Sequence, residues 1–184
     1  RSYSHRYDPE TPLEETLQAL VDIVRQGKAL YVGISNWPLD PLKFGYEYLK
    51  AHDVPLLIDQ GRLNMLDRKP QETGITDFCV EKGIGFIAFS PLAQGLLTDR
   101  YLNGIPKDSR MSKGKFLKEE MLTPELLQKL RNYNQQAESR GESLAEMALA
   151  WILHQKGVTS VLVGASSTTQ LEKNLRCINA APFE

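Results

Sequence analysis

Side chains able to bind a polar ligand recur just past short apolar runs. Tyr3-Ser4 leads into His5, the run ending at Ile34 into Ser35-Asn36, and Ile58 into Asp59-Gln60. Phe89 is followed by Ser90, and Val163 by Gly164 and Ser166. A neutral imidazole can donate one hydrogen bond to a carbonyl oxygen. Hydroxyl and carboxamide groups offer donors and acceptors together. Gly164-Ala165-Ser166-Ser167 precedes a helix-start signal, and a helix N-terminus presents unpaired N–H groups and a positive dipole end to an anion. The same residue types also cap helices and turns with no ligand at all. Cys79 and Cys177 form no CxxC or Cys/His cluster, so neither a metal site nor a disulfide framework is expected.

The elements that position these residues alternate. Thr11-Pro12-Leu13-Glu14 reads as a capping box opening a helix that Gly27 ends. Ala29 to Ile34 is an apolar run without alternation, as in a strand buried on both faces. A helix from Pro41 to about Ala51, a strand at Leu56–Ile58, a helix from Ile75 to Lys82 and a strand from Ile84 to Phe89 follow. A Gly- and Pro-punctuated stretch then runs to about Leu122. Thr123-Pro124-Glu125 and Ser143-Leu144-Ala145-Glu146 open two further helices. The strand Val158–Val163 and a helix starting at Thr168 or Thr169 complete the pattern. Short buried strands alternating with helices predict parallel strands joined by right-handed crossovers, an α/β fold.

Composition narrows the function. Among 184 residues, 22 Lys+Arg stand against 23 Asp+Glu, a net charge of −1. No basic excess exists to neutralise phosphates, so no nucleic-acid partner is expected. No apolar stretch approaches the ~18–20 residues of a membrane span. The 41% hydrophobic and 24% charged content is that of a globular chain, and the sparse cysteines fit a reducing, cytoplasmic setting.

No GxGxxG or GxxxxGK[ST] occurs, which speaks against a doubly wound nucleotide fold. Polar residues at every strand's carboxyl end fit a (β/α)8 TIM barrel, where the chemistry sits on that face. Such a barrel needs about 200–250 residues, and this sequence supplies four complete strands and the tail of a fifth. The expectation is a single domain over 1–184 forming the second half to two-thirds of a barrel whose amino-terminal strands precede Arg1.

His5-Arg6, Gly33-Ile34-Ser35-Asn36, Gln60 with Asn64, Ser90-Pro91-Leu92-Ala93-Gln94-Gly95-Leu96-Leu97, and Gly164-Ala165-Ser166 with Gln170-Leu171 and Asn174 occur in that order. The set resembles the aldo-keto reductases over nearly the whole chain, nearest the branch of L-glyceraldehyde 3-phosphate reductases and potassium-channel β-subunits. The resemblance implies a (β/α)8 barrel that binds NADPH without a Rossmann motif and reduces an aldehyde or ketone to an alcohol. It implies that His5 is the catalytic histidine that polarises the substrate carbonyl. Ser35, Asn36 and Gln60 match residues that bind the nicotinamide carboxamide, and Phe89 the aromatic that stacks on its ring. Ser90, Pro91, Leu92, Gly95 and Leu96 match the loop over the pyrophosphate. Arg100 and Arg110 match basic contacts to the 2′-phosphate, and Gly164, Ser166, Gln170 and Asn174 the remainder of the nucleotide site. Lys173 stands where the family has a Glu that reaches the adenine. The family's catalytic Asp, Tyr and Lys are expected before Arg1, so the chain by itself is expected to be inactive. The partners implied are a small carbonyl substrate and, as an option, a second copy of the chain. Two rivals stand beside this reading: an NADPH-binding redox-sensing subunit like the channel β-subunits, and a different phosphate-binding barrel such as an isomerase or aldolase.

Overall fold

Val32, Gly33, Ile34 and Ser35 are all buried, and they form the second of five strands. In a computed structural model, which describes residues 2–102 and 122–183, the strands are β1 (Ser2–Ser4), β2 (Val32–Ser35), β3 (Leu56–Arg62), β4 (Gly85–Phe89) and β5 (Val158–Val161). The intervening helices are α1 (Leu13–Arg25), α2 (Leu39–Ala51), α3 (Lys69–Glu72), α4 (Ile75–Lys82), α5 (Pro124–Ser139), α6 (Leu144–Leu153) and α7 (Thr168–Leu175). The strands hydrogen-bond in the order β1-β2-β3-β4-β5, and the first three pairs are parallel. Each crossover therefore advances one strand in the same direction. A doubly wound sheet reverses its order at a switch point; this sheet does not, in keeping with the expected part of a (β/α)8 barrel.

Contacts divide the chain into two compact units. The first comprises the chain up to Leu63, Arg68–Phe89 and Lys156–Ser160. Its core holds Leu17, Val21, Ile34, Leu42, Leu49, Cys79 and Phe86. Close packing here depends on two glycines. A Cβ at Gly61 would lie 2.6 Å from the Phe86 ring, and one at Gly33 would lie 2.7 Å from the Tyr3 ring. The second unit comprises Asn64–Asp67, the described parts of Ser90–Gln155, and Val161 onward. Its core holds Leu97, Tyr101, Leu130, Leu144, Met147 and Ile152. Here Arg140 ties down the tail. Its guanidinium donates to the carbonyls of Ala181 (2.6 Å) and Pro182 (3.2 Å), grips Glu142 through two nitrogens, and lies 4.1 Å from the centre of the Phe183 ring.

Several expectations need correction. The Thr11 capping box does not form: α1 begins at Leu13 after Pro12, with no side-chain cap. The Thr11 hydroxyl donates instead to Asp8, whose other carboxylate oxygen takes the Glu10 N–H. Strand β2 starts at Val32, because Leu30 and Tyr31 are exposed. Strand β3 runs on to Arg62, so Asp59 and Gln60 lie within it; pairing continues to Arg62 opposite Phe89. Strand β5 stops at Val161, leaving Leu162 and Val163 exposed. Helix α3 was not expected, and α7 ends at Leu175 in a 3-10 turn to Asn179. The other two helix starts form as read. Thr123 caps α5, and Ser143 with Glu146 closes a reciprocal capping box on α6.

Candidate functional site

In the first unit the end of β2 meets the body of β3, at Gln60, in a hydrogen-bonded knot. Ser35 lies opposite Gln60 in the parallel register. The buried Ser35 hydroxyl donates to the Gln60 carbonyl (2.8 Å), the Asn36 N–H donates to the same oxygen (3.2 Å), and the Asn36 carboxamide N–H donates to Ser35 Oγ (3.0 Å). Asn36 adopts φ 58°, a left-handed conformation that few residues other than Gly and Asn accept. The chain therefore turns sharply at the strand end and leaves Asn36 exposed. Ser35, Asn36 and the Gln60 backbone thus lie in one hydrogen-bonded cluster. His5 is exposed directly after β1, with no hydrogen-bond partner among the described residues. Phe89 is the half-buried last residue of β4.

Trp37, which follows the knot, received no role from the sequence. It is buried, its indole N–H lacks a partner among the described residues, and its ring meets Tyr7 edge-on at 6.1 Å. Asp59 points to the opposite strand face from Gln60. Burial pushes its carboxyl up to about 7 against the opposing pull of the Gln60 N–H, and one oxygen has no partner among the described residues.

In the second unit the segment from Ser90 to Leu97 is a tight, conformationally strained turn. Ser90, Ala93 and Gln94 have φ of 53°, 46° and 60°, and Gly95 has φ 102°. Leu92 (φ −98°, ψ 17°) immediately before Ala93 completes a right-handed/left-handed pair, a backbone form found at anion sites, with the Ala93 and Gly95 N–H groups here donating to the Ser90 and Leu92 carbonyls. Non-glycine residues held in this region concentrate at ligand clamps. The turn is closed by Ala93 N–H to Ser90 O, Leu97 N–H to Leu92 O and Thr98 hydroxyl to Gly95 O. Pro91 and Leu96 are buried inside it, and Arg100 is exposed in the next 3-10 turn. Arg110 lies outside the described residues.

At α7, Ser167 is the cap, accepting the Gln170 N–H. Ser166 gives its N–H (2.7 Å) and its hydroxyl (3.0 Å) to Gln170 Oε1. A Cβ at Gly164 would meet nothing within 4 Å. Asn174 is buried and its carboxamide N–H has no acceptor among the described residues, a group that normally finds a partner. No set of residues suited to hold a metal ion occurs among the described residues, and none of their helices is long and apolar enough to cross a membrane.

The aldo/keto reductase family model matches residues 2–184. The chain belongs to the aldo/keto reductase family. It is 49% identical over 185 residues to the L-glyceraldehyde 3-phosphate reductases of Escherichia coli K12 and of Escherichia coli O157:H7, covering 98% of this chain and 54% of each relative. Its fold matches a crystal structure of the thermostable aldo-keto reductase Tm1743 bound to the inhibitor epalrestat. That match has a TM-score of 0.71 and 27% identity, across 99% of this chain and 55% of that one. The chain thus spans about half the length of the relatives it matches, and its strands form part of the aldo-keto reductase TIM barrel. This is a family of oxidoreductases, whose members generally use a nicotinamide nucleotide. The residues here fit such a group: the hydroxyl–carboxamide knot complements an amide, the left-handed turn suits a phosphate, and the orphaned Asn174 N–H suits a ring nitrogen.

Proposed function

We propose that the protein is an NADPH-dependent reductase of a small aldehyde or ketone, and that this chain supplies the nicotinamide end and the phosphate loop of its cofactor site. The observation that carries the reading is the Ser35–Asn36–Gln60 knot. A carboxamide ligand needs two acceptors and one donor, and the knot sets the Ser35 hydroxyl and the Asn36 carboxamide beside the backbone carbonyl of Gln60 on the neighbouring strand. When bound, the nicotinamide supplies the hydride that reaches the carbonyl carbon. His5 donates a hydrogen bond to the substrate carbonyl oxygen, drawing charge from the carbon as the oxygen turns anionic. Arg100 and the Ser166 donors favour the phosphorylated over the unphosphorylated nucleotide through charge-assisted contacts. The name borne by the Escherichia coli relatives supports an aldehyde as substrate. The two free, buried thiols agree with a reducing, cytoplasmic setting.

The deciding experiment is parallel titration of the full-length protein and its Arg100→Ala and Gln60→Ala variants with NADPH and NADH. NADPH is expected to bind more tightly. Arg100→Ala should weaken NADPH about tenfold and NADH little, whereas Gln60→Ala should weaken both alike. Equal affinity for the two nucleotides would remove the 2′-phosphate assignment. Unaltered binding by Gln60→Ala would remove the carboxamide assignment.

A further inference from the structure

Asn64 follows β3, and its side chain is fully buried. Both ends of its carboxamide are engaged. Oδ1 accepts the N–H groups of Leu66 (2.9 Å) and Asp67 (3.0 Å), and Nδ2 donates to the Ser90 carbonyl at 3.0 Å. Its backbone exchanges two more hydrogen bonds with Asp67, at 3.0 and 3.1 Å. The turn from Asn64 to Asp67 is therefore rigid, and one arm extends from it to a residue 26 positions away.

Ser90 holds a left-handed backbone, which costs a non-glycine residue conformational energy. Its carbonyl accepts twice, from Asn64 Nδ2 and from the Ala93 N–H. Pro91 comes next; its ring fixes φ and removes a donor, so these two hydrogen bonds set the Ser90–Pro91 peptide. The left-handed residues Ala93, Gln94 and Gly95 follow from that starting direction.

We propose that Asn64 is a positioning residue for the nucleotide loop: it holds the Ser90 peptide in the orientation from which the phosphate-facing turn is built. This rests on the cofactor reading above. Asn64 spends its own polar atoms on protein groups and acts through Ser90. A carboxamide is what the position requires, because the turn needs an acceptor and Ser90 needs a donor. Asp at 64 keeps the acceptor and loses the donor, and sets a carboxylate oxygen against a carbonyl.

The test is isothermal titration of NADPH into the full-length protein, its Asn64→Asp variant, its Ser90→Gly variant and the double variant, with steady-state kinetics alongside. Asn64→Asp is expected to weaken NADPH about tenfold, and to raise the nucleotide KM while leaving kcat within about twofold. Glycine adopts positive φ without penalty, so in the Ser90→Gly background the same substitution should cost less than about threefold. A purely structural role for the 64–67 turn predicts the same factor in both backgrounds, and that result would overturn the proposal. Wild-type affinity in Asn64→Asp would overturn it too. If Asn64→Asp does not fold, Asn64→Ser, neutral and too short to reach Ser90, carries the same comparison. Failure of the unaltered protein to bind NADPH would remove the cofactor reading and this inference together. Normal binding with unaltered variants would remove this inference alone.

Discussion

Gln170 Oε1 accepts both hydrogen-bonding donors of Ser166, its N–H at 2.7 Å and its hydroxyl at 3.0 Å. On the proposed reading these donors serve a nucleotide phosphate at the start of α7, and in the structure Gln170 Oε1 holds both of them. Gln170→Glu should keep the helix at least as stable, because a carboxylate in the first turn is favoured by the dipole. NADPH should bind at least about tenfold more weakly, from like charge beside a phosphate, and NADH much less so. Thermal melts and titration with both nucleotides check the pair of effects; equal losses would place the phosphate elsewhere.

His5 sits exposed just after β1, and the proposed function makes it the donor to the substrate carbonyl. In the full-length protein, His5→Ala should lower kcat/KM for an aldehyde by about 10²–10³ while nucleotide affinity stays within about twofold of wild type. Steady-state kinetics and nucleotide titration measure the two separately. Normal turnover would refute the catalytic role, and loss of nucleotide binding would make His5 a cofactor contact.

Asp59 carries a pH signature. Burial raises its folded pKa from the ordinary 3.8 to about 7, so between those values the folded chain holds a proton that the unfolded chain has lost. Stability from this group is full below about pH 3.8 and is lost as pH rises towards 7. The loss is on the order of 4 kcal/mol. Asp59→Asn should remove that slope, so its stability relative to wild type should rise between pH 4 and pH 8. Urea unfolding at both ends measures it; a constant difference would show that Asp59 is well solvated.

Arg140 joins two tail carbonyls, Glu142 and the Phe183 ring. Lysine offers a point charge rather than a planar fork, so Arg140→Lys should destabilise by about 2 kcal/mol and leave nucleotide affinity unchanged. Chemical denaturation and limited proteolysis of the tail would detect this. An unchanged midpoint would mean that the tail holds without the fork.

Helix starts were legible at Thr123 and Ser143, where the cap hydroxyl accepts the N–H three residues on, and at Thr168, the residue after the cap Ser167. At Thr11 no cap forms: α1 begins at Leu13 after Pro12, and the Thr11 hydroxyl donates back to Asp8. The extent of β3 was hidden because Asp59 and Gln60 resemble a strand end. What keeps them in the sheet is pairing with β2 and β4 and the close approach of Phe86 to Gly61, neither of which is local. The knot residues stood out by type and by place after a strand. Asn64 stood in the family pattern without a role, because the carbonyl it reaches belongs to a turn after the next strand.

Cys79 lies in the first unit and Cys177 in the second, both free and buried. Burial, aided by the charge of Asp59, pushes the Cys79 thiol up to about 12, and burial with Glu146 raises Cys177. Alkylation requires the thiolate, so neither sulfur reacts until its surroundings open. Each unit thus carries its own clock: the rate at which a thiol reagent modifies Cys79 or Cys177 counts how often that part of the molecule breathes.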